Sequence, residues 1–269
     1  MPRLMLTLRA GHLEADVAPE AGMVVASLRR RGDELLGVRG GLDGWRREGR
    51  TFGVPLLYPF ANRLSAVRSA RIDASAARRD GRFPIHGLPA ARGPWEVVED
   101  TPERVRGRLR WDDPAFPPAH VVEVEHALDA RGLRVTTRVL GEGVPVSFGW
   151  HPYLALDRAR DEVEIPAMRR LVLDADGLPT GAVEDAPAVS GLLGDRAFDD
   201  LYEAPGAPLR AGRVAVVFER GVRYAQVFAP PGEPLIAFEP MSAPVNALVS
   251  GDGLQASPYE MAFRLEVAA

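Results

Sequence analysis

The sequence predicts an all-β protein, a large antiparallel β-sandwich with only a few short helices. Three observations carry this: apolar residues recur at every second position, turn formers punctuate the runs, and no helical periodicity is sustained over ten residues. Alternation with period two marks strands that bury one face. Val105, Leu109 and Trp111 share one such face, followed by Val122, Val124 and His126, then Leu133, Val135, Thr137 and Val139. Met261, Phe263, Leu265 and Val267 repeat the pattern near the C-terminus. Between the runs stand the segments 129–132, Gly141-Glu142-Gly143, 191–194 and 230–234, and the chain's 27 glycines and 24 prolines suit many turns. Short helical turns are expected only around Pro55–Asn62 and Ala243–Leu248. The segment from Gly177 to Asp200 lacks a strand pattern and reads as a long loop of the kind that is functional or mobile. At its end, Asp199-Asp200 reads either as a turn cap or as a polar anchor in a cleft.

Composition bounds the organisation and the chemistry. The 269 residues are 46% hydrophobic and 26% charged, enough to bury a sizeable core. With no Ser/Gly-rich or charged linker and no fixed-period repeat, a single domain over 1–269 is expected. Cysteine is absent, which excludes disulfides, thiolate nucleophiles and cysteine metal sites. All 33 basic residues are arginine, so a Schiff-base lysine and a Walker phosphate loop are excluded as well. A formal charge of −4 and a pI near 5.8 give no support to a nucleic-acid surface. The clusters Arg29–Arg31 and Arg78–Arg79 read as solvated faces or turns. The apolar run in Met1–Leu8 is too short for a signal peptide, no stretch approaches the about 18 apolar residues of a membrane span, and a cytoplasmic location with no membrane partner is the default expectation.

Four elements set reactive polar residues among rigid apolar neighbours: Leu56 to Leu64 with Asn62 and Arg63, Phe83-Pro84-Ile85-His86-Gly87, Trp150-His151-Pro152-Tyr153, and Leu235 to Pro240 with Glu239. Histidine titrates near neutral pH and suits proton transfer. His86 and His151 are each followed by a backbone-restricting residue, whereas His12, His120 and His126 read as hydrogen-bonded strand residues. Glu239 closes an apolar strand, where a carboxylate is costly unless paired, hydrogen-bonded or raised in pKa. On the residues alone, a strand exit to solvent and a functional carboxylate remain equally open.

Taken in this order, the elements resemble the aldose 1-epimerase (mutarotase) family, from about Gly11 to Val267. The resemblance implies the galactose mutarotase-like supersandwich and interconversion of the α and β anomers of a free aldose. It implies Glu239 as base and His151 as acid, with Asn62, Arg63, His86 and Asp199 binding the sugar and His86 able to share the acid role. No metal and no organic cofactor are implied. A small-molecule sugar is the expected partner, and a monomer or homodimer the expected state. This chain departs from the better-known galactose mutarotases where Leu88-Pro89 follows His86-Gly87, where Asp200 replaces a histidine, and where Pro240-Met241 follows Glu239. These departures bear on which sugar is used. A hexose 6-phosphate mutarotase is the nearest alternative, with Arg68 and Arg71 available for the phosphate; a non-catalytic carbohydrate-binding protein is another. A glycoside hydrolase would need two flanking carboxylates and fits less well.

Overall fold

The computed structural model describes residues 5–37 and 39–268. The expected single unit over 1–269 thus includes residues 1–4, 38 and 269, which lie outside the described residues, as does the first half of the N-terminal apolar run. Two large antiparallel sheets dominate. One has nine strands in the order Val189–Leu192, Glu162–Ile165, Leu209–Ala211, Val214–Arg220, Tyr259–Val267, Gly132–Leu140, His120–Asp129, Arg104–Trp111 and Glu96–Asp100. The four alternating runs of the sequence are its central strands, in continuous register: Val124 lies opposite Thr137, and Val135 opposite Phe263. Their apolar positions, except the half-buried Leu109, are buried because one pleated face meets the core.

The second sheet runs Pro179–Ala186, Met168–Leu173, Phe198–Glu203, Tyr224–Ala229, Leu235–Met241, Gly149–Trp150 and Leu56–Leu57, with Tyr153–Ala155 also pairing with Leu235–Met241. Trp150 fastens the two layers. Its indole N–H donates to Thr137 Oγ1 at 2.9 Å, and its ring meets His126 edge-on at 5.7 Å and Phe263 at 6.0 Å. A separate four-stranded sheet, Leu6–Ala10 to Asp33–Glu34, adds to the main core through Leu8, Ala15, Val17 and Leu28.

Strand Leu235–Met241 is buried on both faces, and its two faces have different fates. Ile236 and Phe238 enter the core between the sheets, while Leu235 and Ala237 pack with Tyr153 and Phe228 on the opposite side. By the two-residue alternation of a strand, Glu239 points with Leu235 and Ala237, away from the core.

Three expectations need correction. Residues 177–200 are not a structureless loop: Pro179–Ala186 and Val189–Leu192 are strands. Pro179–Ala186 is exposed along nearly its whole length, so neither face carries the apolar alternation that reveals a strand. Asp199 and Asp200 lie within the strand Phe198–Glu203 rather than in a turn. Around Pro55–Asn62 there is no helical turn but the short strand Leu56–Leu57, and near Ala243–Leu248 the helix is Ala247–Ser250. The helix Leu42–Glu48 was not anticipated; it buries only Trp45, too little to imprint a periodicity.

Candidate active site

The face of the second sheet turned away from the core opens into a cleft of about 450 Å³. Asn62, Arg63, His86, His151, Asp199 and Glu239 all line it. The structure therefore brings together all six residues that the family resemblance assigned to catalysis and sugar binding, from elements up to 177 positions apart in the chain. Register accounts for the sheet members. Gln226 lies directly opposite Glu239, Phe228 opposite Ala237, and Asp199 opposite Phe228, so all point to one face. Asp200 points the other way and pairs with Arg170 at 3.2 Å.

His151 Nε2 lies 3.2 Å from Glu239 Oε1, with side chains only 4% and 2% exposed. Glu239 Oε2 is buried without a hydrogen-bond partner among the described residues. Burial pushes the Glu239 carboxyl well above the usual carboxylate range; the Asp199 charge adds to this and Arg63 opposes it. Burial likewise pushes His151 well below the usual imidazole range, helped by His86 and the Arg39 charge. Both shifts point to a pair that is neutral overall and holds one proton between its two members.

His151 is fixed by its neighbours. Its ring lies 4.2 Å from that of Tyr153 and 5.8 Å from that of Phe228, and its backbone N–H donates to the Pro55 carbonyl at 3.1 Å. The Tyr153 hydroxyl bonds Thr51 Oγ1 at 2.6 Å. His86 stands edge-on to His151 with ring centroids 5.5 Å apart. Burial and the charges of Arg78, Arg63 and Arg39 push His86 down to about 3.

Asn62 and His86 are held in an unusual backbone. Both have positive φ, 56° and 59°, and the His86 N–H donates to the Asn62 carbonyl at 3.1 Å. Such conformations cost energy in non-glycine residues and cluster where the chain must present a side chain in one direction. Gly87 follows at φ 79°, and a Cβ there would overlap the Tyr58 carbonyl. Larger residues are thus excluded directly behind His86.

Arg63 ties two walls together. Its Nε donates to Asp80 Oδ2 at 2.7 Å, and its guanidinium reaches Asp199 Oδ2 at 3.8 Å. The second oxygen of Asp199 accepts from Gln226 Nε2 at 2.7 Å. Gln226 is fully buried, and its Oε1 has no partner among the described residues. The sequence did carry a signal for it: a polar residue inside the apolar run Tyr224 to Ala229, the same anomaly that singled out Glu239. Arg39, Arg50, Arg78 and Asp80 also line the cleft without having been anticipated. Arg78 and Arg79 are exposed, as a solvated face requires, and hairpin Arg78–Asp80 with Phe83–Ile85 in addition sets Arg78 at the cleft. Arg68 and Arg71 are not at the cleft. Arg68 is 75% exposed and bound to Asp73, and Arg71 lies near the Leu248 carbonyl, because the chain leaves the cleft after Arg63.

Among the described residues no group of three or more His, Asp or Glu is placed to hold a metal ion. No helix among them is long and apolar enough to cross a membrane.

The architecture is that of the galactose mutarotase-like β-supersandwich. It is similar to the galactose 1-epimerase of Lactobacillus acidophilus NCFM, at TM-score 0.77 and 14% identity over 98% of this chain and 94% of that one. It is similar also to a GalM/aldose epimerase homologue from C. elegans, at 0.76 and 17% over 98% and 99%, and to a Synechocystis sp. PCC 6803 protein, at 0.76 and 22% over 98% and 96%. No curated protein matches the sequence significantly. Residues 5–218 match the aldose 1-epimerase family, and the chain belongs to that family.

Proposed function

We propose that residues 1–269 act as a single aldose 1-epimerase domain, an isomerase that equilibrates the α and β anomers of an aldose by opening and closing the sugar ring. The observation that carries this reading is the contact of 3.2 Å between His151 and Glu239 at the base of the cleft. Anomer exchange needs a base for the C1 hydroxyl proton and an acid for the ring oxygen. A carboxyl raised and an imidazole lowered by burial, in contact, hold one proton between them, which rests on Glu239 and has His151 as its acceptor.

Moving that proton from Glu239 to His151 creates a carboxylate and an imidazolium without changing the net charge of the buried pair. The carboxylate takes the C1 hydroxyl proton while the imidazolium protonates the ring oxygen, and the bond between C1 and that oxygen breaks. The pair is then back in its resting protonation, with an open-chain aldehyde in the cleft. Rotation about C1–C2 presents the other carbonyl face, and the same transfers run backwards to close the ring. No proton is gained or lost over the cycle.

The walls supply orientation. Arg63 and Asp199, locked to each other and to Asp80 and Gln226, offer fixed polar groups to the sugar hydroxyls. His86 is kept neutral by burial first and then by neighbouring arginine charges, where His151 faces a carboxylate, and it serves as a hydrogen-bonding group. Glu239 Oε2 is a buried acceptor short of a donor, and a sugar hydroxyl is such a donor.

Saturation-transfer NMR on freshly dissolved α-D-glucose and α-D-galactose and on their acidic derivatives provides the test. The expected result is faster anomer equilibration than in buffer for at least one sugar. Binding without any acceleration would reject the enzyme and leave a carbohydrate-binding protein.

A further inference from the structure

The charge at the cleft opposes that of the chain. The whole sequence carries a formal charge of −4. Around the cleft, however, Arg39, Arg50, Arg63 and Arg78 outnumber Asp80 and Asp199, and the His151–Glu239 pair is neutral. A neutral sugar gains little from such an excess. Charged residues concentrated at a low-dielectric cleft raise the local concentration of oppositely charged ligands.

The four arginines differ in what holds them. Arg63 is committed to Asp80 and Asp199. Arg39 pairs with Glu233 at 3.2 Å and lies over the Phe228 ring at 5.2 Å, and Arg50 pairs with Glu48 at 2.5 Å. Arg78 has no ion-pair partner among the described residues. Its place is not accidental. In the hairpin it lies opposite Ile85, one residue from His86, and alternation puts it on the same side as Asp80, which is engaged by Arg63. The hairpin therefore delivers one compensated and one uncompensated charge to the cleft. His86 is held in its neutral form first by burial and then by the charges of Arg78, Arg63 and Arg39.

We propose that the substrate is an aldose carrying an anionic group, a carboxylate or a phosphate, remote from C1, and that Arg78 binds this group within the field of Arg39 and Arg50. The inference rests on the epimerase reading and narrows its substrate class. An arginine fork accepts either anion in two parallel charge-assisted hydrogen bonds. Arg78 lines the same cleft as Glu239 and His151, and in this proposal the far end of the sugar lies at the cleft wall built by the hairpin when that pair engages C1 and the ring oxygen.

The experiment compares kcat/KM for anomer exchange of glucose, galactose, glucuronate, galacturonate and glucose 6-phosphate, each above its uncatalysed rate. The expected result is a preference of about tenfold or more for at least one anionic sugar over its neutral parent, matching the loss of one charge-assisted contact. Whether uronate or phosphate ester is preferred identifies the anion. Arg78→Gln should collapse the ratio of anionic to neutral kcat/KM, Arg68→Gln should leave it unchanged, and added salt should lower it. Equal or better turnover of the neutral sugars by the wild type would overturn the proposal while leaving the epimerase reading intact. An unchanged ratio in Arg78→Gln would overturn the role of Arg78. No acceleration with any of the five sugars would instead sink the epimerase reading itself.

Discussion

His120 and His126 lie in the core, His86 and His151 in the cleft, and the contrast between the two pairs shows what makes a buried histidine available for chemistry. All four are pushed below the usual imidazole range, in each case first by burial. Burial therefore does not separate them; their partners do. His126 donates from Nε2 to the Met23 carbonyl at 2.8 Å and abuts Trp150. His120 donates from Nδ1 to the Pro118 carbonyl at 2.6 Å, which leaves Nε2 to accept from the Tyr58 hydroxyl, with Trp111 stacked at 5.9 Å. These rings have fixed tautomers. In the cleft, His151 instead meets a carboxyl that shares its proton, and His86 meets arginine charges that keep it neutral.

The largest expected effect would separate the two regions outright. Glu239→Gln should lower kcat by about 10²–10⁴-fold, the usual worth of a positioned proton-transfer group, with the fold retained. His126→Leu should leave kcat per folded molecule unchanged and cost about 1–3 kcal/mol of stability, because the buried Met23 carbonyl loses its donor. Denaturant unfolding alongside NMR rates checks both; a His126→Leu enzyme that is stable but slow would erase the distinction.

Acid should expose the core pair next. His126 is fully buried, with a pKa lowered to about 4. A depressed pKa means that its contribution is present above the unfolded value of about 6.5 and is lost as pH falls toward the folded value. Between pH 7 and pH 4.5 this one residue should account for about 2–3 kcal/mol of lost stability. Urea melts at the two pH values should show an acid loss smaller by about 2–3 kcal/mol in His126→Leu than in wild type, the other depressed histidines carrying the remainder; equal losses would place the acid sensitivity elsewhere.

Asp199→Asn should act on the cleft alone and more gently. The Asp199 charge adds to the burial that holds the Glu239 carboxyl up, so its removal lets the pair lose its single proton more readily and should move the alkaline limb of the kcat profile to lower pH. KM should rise as well, since Arg63 and Gln226 lose an anchor. A rise in KM with an unmoved alkaline limb would confine Asp199 to sugar binding. Smallest of all, Arg68→Gln should change neither rate nor stability measurably, as its exposed pair with Asp73 implies.

What the sequence revealed follows the same divide between local pattern and assembly. The central strands of the nine-stranded sheet were legible because one face of each is buried and the other is not. Pro179–Ala186 was not, because exposure on both faces removes the pattern. Glu239 stood out as a carboxylate in an apolar strand, and His86 and His151 through their rigid neighbours and the family motifs. Arg39, Arg50 and Arg78 were invisible as site residues, since an arginine in a turn or hairpin looks the same whether it faces water or a cleft. Arg68 and Arg71, near Arg63 in sequence, were available for a phosphate by proximity along the chain, but proximity in space is set by the hairpin that carries Arg78. Gln226 could have been found by the logic applied to Glu239.

The central claim is that His151 and Glu239 work as one unit passing a single proton, and a double-mutant cycle on anomer exchange tests it most directly. His151→Asn and Glu239→Gln should each lower kcat by about 10²–10⁴-fold. The double variant should lose no more than the worse single variant, because a unit broken once cannot be broken again. Losses that multiply in the double variant, or a near-normal rate in either single variant, would contradict the claim.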